Sequence, residues 1–255
     1  MATTLFDSHS HLDAPEFDDD RAAVLQRARD VGVTEQLVPA VDQASWPKLR
    51  EVCAADPNLH PAYGLHPMYL DQHRPEHLPA LRGWIESESP RAIGECGLDF
   101  FVDGLDPERQ RFYLRAQLEL AREFDLPVVL HARRAVEEIT ALLRSIGGLR
   151  GVIHSYSGSE EQARQLFGMG FMLGIGGPLT YDRAKRLHRL VASMPIEFLL
   201  LETDSPDQPD AMHRGQRNEP ARLQIVLETV ARLRNSDPDE IASTTSANAR
   251  RLLRL

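Results

Sequence analysis

Two periods of apolar residues interleave along this chain. Short unbroken apolar runs recur roughly every 25 to 40 residues, the spacing of strands joined through helices. Eight such runs stand out, at 4–9, 36–40, 60–65, 91–95, 127–131, 151–154, 171–175 and 197–202. Between them the period lengthens to that of an amphipathic helix at 20–30, 107–124, 135–146, 160–169, 181–192, 220–233 and 238–253. Eight strands with intervening helices predict a closed (β/α)8 TIM barrel.

The boundaries carry matching punctuation. Asp18-Asp19-Asp20, Asp106-Pro107, Ser159-Glu160 and Ser236-Asp237-Pro238 put capping groups or proline at helix starts, and Gly32, Gly147 and Gly170 stand where helices should stop. No Pro/Gly/Ser-rich linker, repeat or low-complexity stretch divides the chain, so residues 1–255 are expected to form a single domain. A doubly wound open sheet shows the same alternation, but it binds at one switch point. The distribution of chemistry-bearing residues favours the barrel.

Four of the runs end in a metal-binding side chain: Leu5-Phe6-Asp7-Ser8-His9, with His11 just beyond, Ala92-Ile93-Gly94-Glu95, Val128-Val129-Leu130-His131 and Gly151-Val152-Ile153-His154. A fifth, Phe198-Leu199-Leu200-Leu201-Glu202-Thr203-Asp204, ends in two carboxylates. His9 and His11 are two apart, so their imidazoles share one face and can grip a single ion. Any one of these endings is weak evidence. Several at the same end of successive strands are what a barrel needs to gather ligands at one mouth.

The expected metal ligands are therefore His9, His11, Glu95, His131, His154 and Asp204. Six donors exceed what one tetrahedral ion needs, which points to two divalent ions bridged by Glu95. His9, His11 and Asp204 are expected on one ion, His131 and His154 on the other. The mixed imidazole and carboxylate set suits zinc or manganese, with magnesium less at home among so many histidines. Such a pair activates a water and clamps phosphate oxygens, and Asp204 is placed to take the proton.

Composition narrows the function classes. With 42% hydrophobic and 26% charged residues the chain is an ordinary globular protein. A formal charge of -9 argues against coating nucleic acid by bulk electrostatics, so an anionic substrate needs local positive charge, such as bound ions. Cys53 and Cys96 are too few for a disulfide scaffold and lack zinc-ribbon spacing. Cys96 follows Glu95 and is expected to pack on the opposite strand face. The start of the chain lacks a signal-peptide pattern and no segment is long enough to span a membrane, so a cytoplasmic setting without a membrane partner is expected. Barrels of this size are often self-sufficient, which favours a monomer.

Read together, these residues resemble the TatD-like metal-dependent deoxyribonucleases of the amidohydrolase-type metallo-hydrolase superfamily. The resemblance spans nearly the whole chain. It rests on Phe6-Asp7-Ser8-His9-Ser10-His11-Leu12-Asp13, Gly64-Leu65-His66-Pro67, Gly94-Glu95-Cys96-Gly97-Leu98-Asp99, Leu130-His131-Ala132-Arg133, His154-Ser155-Tyr156-Ser157-Gly158, Leu201-Glu202-Thr203-Asp204-Ser205-Pro206, and His213-Arg214-Gly215 with Arg217-Asn218-Glu219-Pro220. It implies a (β/α)8 barrel and metal-dependent phosphodiester hydrolysis, with the metal roles on the six positions named above. Ser10, Cys96, Ser155 and Tyr156 depart from the common family residues, and none of these departures removes a ligand.

Further residues fall near the expected mouth. His66 and Glu202 join Glu95 and Asp204 as candidate catalytic groups, His66 for hydrogen bonding to a phosphate oxygen and Glu202 for orienting a ligand or water. His66, Arg133, Arg214 and Arg217 are candidates for holding substrate phosphates. Blander roles fit other clusters: Asp18–Asp20 as a helix cap, His73 and His77 as surface histidines on one helix face, and the arginine-rich end from 250 to 254 as a complement to a helix C-terminus. The leading expectation is a deoxyribonuclease trimming single-stranded or frayed DNA from an end. Hydrolysis of a D-aminoacyl ester on transfer RNA keeps the metal site and changes the bond. A barrel that binds nucleic acid without turnover is the non-enzymatic alternative.

Overall fold

The computed structural model describes residues 4–255. Eight parallel strands, β1 Leu5–Asp7, β2 Val33–Pro39, β3 Leu59–Tyr63, β4 Ala92–Asp99, β5 Val128–Arg133, β6 Gly151–Ile153, β7 Phe171–Ile175 and β8 Leu199–Leu201, pair in chain order. Beyond that ladder the Ser8 N–H donates to the Leu201 carbonyl at 2.9 Å and Ser10 bridges Ser205, which brings the first and last strands together into a TIM barrel. Helices α1 Arg21–Asp30, α2 Trp46–Ala54, α3 His77–Glu88, α4 Pro107–Glu123, α5 Val136–Ile146, α6 Glu160–Phe167, α7 Lys185–Ser193, α8 Leu223–Arg234 and α9 Pro238–Leu253 wrap the outside.

Two apolar layers hold this arrangement. The larger packs the outward strand residues, such as Leu130, Ile153 and Leu173, against helix residues including Leu118, Ile139 and Leu166. The smaller fills the barrel lumen with one side chain from each strand: Phe6, Leu37, Ala62, Ala92, Val129, Val152, Met172 and Leu200. Ala249, Leu252 and Leu253 of α9 seal it from below. Burying a Val, Leu or Phe side chain in such a layer is worth roughly 1.5–3 kcal/mol. The lumen is a packed plug, and a site can lie only above it.

Side chains of a strand return to the same face every second residue. Two positions past the plug, therefore, β5, β6, β7 and β8 present His131, His154, Gly174 and Glu202. In β4 the pairing with β5 slips between Ile93 and Cys96, and Glu95 rather than Gly94 turns into the lumen. Gly97 is fixed by the same crowding: at φ +150°, a Cβ there would stand 2.0 Å from the His131 carbonyl oxygen.

The capping signals at Asp106, Ser159 and Asp237 do what their chemistry suggests, with Ser159 and Gln162 forming a reciprocal capping box. Asp20 does not cap α1 through its side chain. Its carboxylate pairs with Arg217 and Arg27.

Two helices escape the sequence reading. In α3, Pro79 and Gly83 break the expected helical composition, yet Pro79 sits in the first turn where its missing N–H costs nothing. In α2, Trp46, Leu49, Val52 and Cys53 form the buried face of a helix only 9 residues long.

His73 and His77 do not share a helix face. His73 follows the 3-10 turn Pro67–Gln72 and is buried, 1% exposed, while His77 opens α3. The surface assignment of His73 is therefore corrected: its Nε2 reaches the His66 carbonyl at 2.8 Å, a backbone acceptor invisible to spacing.

Candidate metal centre

Strand ends bring six candidate ligands within touching distance. His9 Nε2 lies 3.2 Å from His11 Nε2, 3.1 Å from Glu95 Oε2 and 3.5 Å from Asp204 Oδ1. His11 Nε2 lies 3.4 Å from Glu95 Oε2 and 3.5 Å from Asp204 Oδ1. Four donors at the corners of a tetrahedron with bonds near 2.0–2.1 Å are separated by about 3.3–3.4 Å. This group therefore has the spacing of a coordination shell.

A second group shares the other oxygen of the same carboxylate. Glu95 Oε1 is 3.1 Å from His131 Nδ1 and 2.8 Å from His154 Nε2, and those two nitrogens are 3.3 Å apart. Glu95 thus gives one oxygen to each cluster.

Hydrogen bonds on the far sides of the rings aim the lone pairs. His11 Nδ1–H donates to the Pro39 carbonyl at 3.1 Å, leaving Nε2 free as an electron-pair donor. His131 Nε2–H donates to Asp99 Oδ2 at 2.8 Å, leaving Nδ1 facing Glu95. Burial would raise the Asp99 carboxyl, but the bond from His131 and the backbone N–H groups of Val102 and Phe101 hold it down to about 2. Asp99 thus stays an acceptor. It escaped the sequence reading although Cys96-Gly97-Leu98-Asp99 is one more run ending in a carboxylate, at four residues from Glu95.

His66 has the opposite polarity. Its Nδ1 accepts the Met68 N–H at 3.1 Å, so Nε2 carries the proton and donates to Glu95 Oε1 at 2.8 Å. Burial lowers its pKa to about 4, against the pull of Glu95, and the ring stays neutral. It sits beside the ligands as a donor to the shared carboxylate.

Below the ligands, three buried atoms lack a hydrogen-bond partner: His9 Nδ1, His154 Nδ1 and Glu202 Oε2. Their residues offer ligand-type atoms within 4.8 Å of one another. Glu202 Oε1 accepts the Ser155 N–H at 2.5 Å and stands 3.6 Å from His154 Nδ1. The stacked rings of His9 and His154, centroids 4.0 Å apart, thus face one carboxylate with the edges that point away from Glu95.

Strand β8 ends at Leu201, and Asp204 is reached through a left-handed turn at φ +56°, so Glu202 and Asp204, although two residues apart, do not share a strand face. The turn lifts Asp204 to the mouth while Glu202 stays in the lumen. Burial pushes the Asp204 carboxyl up, and His11, His154 and His9 outweigh it, bringing it to about 2. Its Oδ2 accepts a hydrogen bond from Gln208, a second residue the sequence did not single out.

These charges sustain one another. Burial opposes ionisation throughout, yet Glu95 and Asp204 hold His11 and His154 well above the usual imidazole range, and His154, His66 and His9 hold Glu95 well below that of a carboxylate. His9, where burial prevails and His154 adds to it, is lowered. Imidazoles crowded onto acids in a closed pocket fit divalent cations, which take the place of those protons.

The ligands floor a cleft of about 1200 Å³. Arg133 lines it, its guanidinium 3.7 Å over the Phe101 ring. Arg217 is engaged elsewhere, donating to Asp20 Oδ1 and Oδ2 at 2.9 and 2.8 Å. Arg214 is exposed and stands outside the cleft wall.

A barrel whose mouth collects imidazoles and carboxylates around a shared glutamate is built as a metal-dependent hydrolase. The chain belongs to the TatD-related DNase family, whose model matches residues 6–254. It is 38% identical over 251 residues to YjjV of Escherichia coli K12, an uncharacterized metal-dependent hydrolase, with 97% of each chain covered. It is 35% identical over 263 residues to the 3'-5' ssDNA/RNA exonuclease TatD of Erwinia tasmaniensis, covering 98% of this chain and 100% of that one. The crystal structure of YjjV matches over the full length of both chains with a TM-score of 0.96 at 36% identity.

Proposed function

We infer that this protein is a nuclease that removes nucleotides from the end of a single DNA strand, and that two divalent ions would be held by the two donor clusters that share Glu95. The observation that carries this reading is the division of one carboxylate between two donor clusters, Oε2 with His9 and His11, Oε1 with His131 and His154. Asp204 completes the first set at 3.5 Å from both imidazoles. The name of the Erwinia relative supports a single-stranded substrate acted on from its 3' end. Zinc and manganese suit these ligands best.

When bound, the ions supply a water acidic enough to ionise near neutral pH and positive charge for the phosphate oxygens. The protein's own groups do the rest. Asp204, ionised and held by Gln208, accepts the proton of the attacking water. His66 keeps Glu95 oriented by donating from Nε2. Glu202 faces the inner edges of His9 and His154, its Oε1 3.6 Å from His154 Nδ1, and would favour the tautomers that leave the other nitrogen of each ring to a metal. Arg133, laid over Phe101 at the rim, neutralises phosphate charge as the strand enters.

Among the described residues no helix is long and apolar enough to cross a membrane. Free, buried Cys53 and Cys96 support a reducing cytoplasm, and a one-domain monomer completes the reading. Incubation with end-labelled single-stranded DNA and manganese should shorten it stepwise, and a chelator or His131→Ala should stop it. Undiminished cleavage under either condition, or faster hydrolysis of a D-aminoacyl ester on transfer RNA, would count against this assignment.

A further inference from the structure

Charge is segregated across the cleft. Asp13, Glu16 and Asp207 line the side near β1 and β8, with Lys48 among them paired to Asp18 at 2.7 Å. Arg133, Arg183 and Arg186 line the side of β5 to α7. None of these three has a carboxylate partner among the described residues, unlike Arg27, Arg82, Arg111 or Arg217. In a chain of formal charge -9, exposed arginines left without acids on one wall call for an explanation.

Both Arg183 and Arg186 are held in place by neutral contacts. Arg183 lies over the Tyr181 ring, 5.4 Å from its centroid, and the Tyr181 hydroxyl donates to the Pro209 carbonyl at 3.0 Å. Arg186 donates to the Ser157 carbonyl, on the loop that follows His154. Guanidiniums ordered this way keep donors free and lose little freedom on meeting a phosphate. The cleft is also larger, at about 1200 Å³, than the roughly 300–1,000 Å³ that takes a small ligand.

We propose that Arg183 and Arg186 bind backbone phosphates of the nucleotides next to the one being hydrolysed, so that the strand runs over the α7 side of the mouth and away from Asp13 and Glu16. This rests on the nuclease reading of the metal centre and adds residues that set preference for a polymer over a small phosphodiester. Tyr181, partly exposed beneath Arg183, offers a ring on which a base can stack.

The test is binding and turnover of R183A/R186A. Anisotropy of a labelled ten-nucleotide strand with non-hydrolysable linkages should show affinity weaker by roughly tenfold or more. The plot of log affinity against log salt should flatten by about 1.4, the share of two phosphates on a single strand. R183K/R186K should recover most of that slope. Arg189→Ala, which removes one positive charge from α7 outside the cleft, should leave it near wild type, and Arg183→Ala alone should flatten it by about half the double variant's amount. Catalytic efficiency should fall at least about tenfold more on the strand than on bis(p-nitrophenyl) phosphate, which has no neighbouring phosphate.

A wild-type salt slope in R183A/R186A, an equal loss from Arg189→Ala, or no strand binding by the wild type would overturn the proposal. Strand binding that obeys the slopes in a protein unable to cleave would uphold the phosphate contacts of Arg183 and Arg186 and defeat the nuclease reading instead.

Discussion

The barrel lumen has two storeys made by the same strands, and they differ in almost every physical respect. The lower one, from Phe6 round to Leu200, is wholly apolar and sealed by α9. The upper one begins two residues later on β5, β6 and β8 and holds His131, His154 and Glu202, all with little or no solvent contact. In the lower storey stability and position come from the same contacts. In the upper, burial works against every ionised group, and order depends on each charge facing its opposite. The candidate chemistry is thus carried by a storey ordered by charge pairing, set above one ordered by packing.

That division is tested most severely at Glu95. Glu95→Gln removes the charge that both ligand clusters share, so metal at both positions should be lost together and hydrolysis should fall by roughly 10²–10³-fold or more. His11→Ala should deplete one position only. Elemental analysis of the purified proteins, with circular dichroism to verify folding, reads this directly. Two ions per chain in Glu95→Gln would show that the carboxylate does not bridge.

The next effect belongs to the lower storey. Leu200→Ala opens a cavity in the plug and should cost about 2–5 kcal/mol in denaturant unfolding. Affinity for manganese, measured by competition with a chelator, should change far less than stability. If both fell in proportion, the two storeys would be one cooperative unit.

Gly174 sits at the seam. A Cβ there would come within 1.9 Å of Glu202 Oε2, so Gly174→Ala must displace that carboxylate from the inner edges of His9 and His154. Metal affinity should drop about 10–100-fold, as when a ligand loses its orienting partner. Glu202→Gln should do the same. Unaltered affinity in both would leave Glu202 without a role at the metal.

The barrel and the clustering of six candidate ligands were legible in the sequence because most strands carry an apolar run and the candidates sit where such runs give way to polar residues. Residues whose importance depends on neighbours distant in the chain were not. Asp99 meets His131 from the adjacent strand, and Arg217 reaches back to Asp20 across 197 positions. Arg183 and Arg186, just before and within α7, carry no signal in the sequence, and only the fold brings them to the cleft that Asp13 also lines. The bulge in β4 that turns Glu95 inward is likewise a product of pairing with β5.

The smallest predicted effect concerns His73, a buried imidazole that faces a backbone carbonyl and an aromatic ring and, among the described residues, has no carboxylate paired with it. His11, His131 and His154 meet carboxylates and have raised pKa values, whereas His73, enclosed against Tyr113, is lowered by burial despite its bond to the His66 carbonyl. A folded pKa below the unfolded value of about 6.5 means that the neutral ring contributes fully above that pH and that its contribution is lost as pH falls toward the lowered value. His73→Gln keeps a side-chain donor for the His66 carbonyl and removes the titration. It should be about 1 kcal/mol less stable at pH 8. Between pH 7 and 5 it should lose less than the wild type, although His60, also lowered by burial, continues to titrate in both. Urea unfolding of the metal-free proteins at several pH values would show the two curves converging on the acid side. Parallel curves would mean that His73 already admits a proton without cost, and that burial does not separate the wall histidines from those at the metal centre.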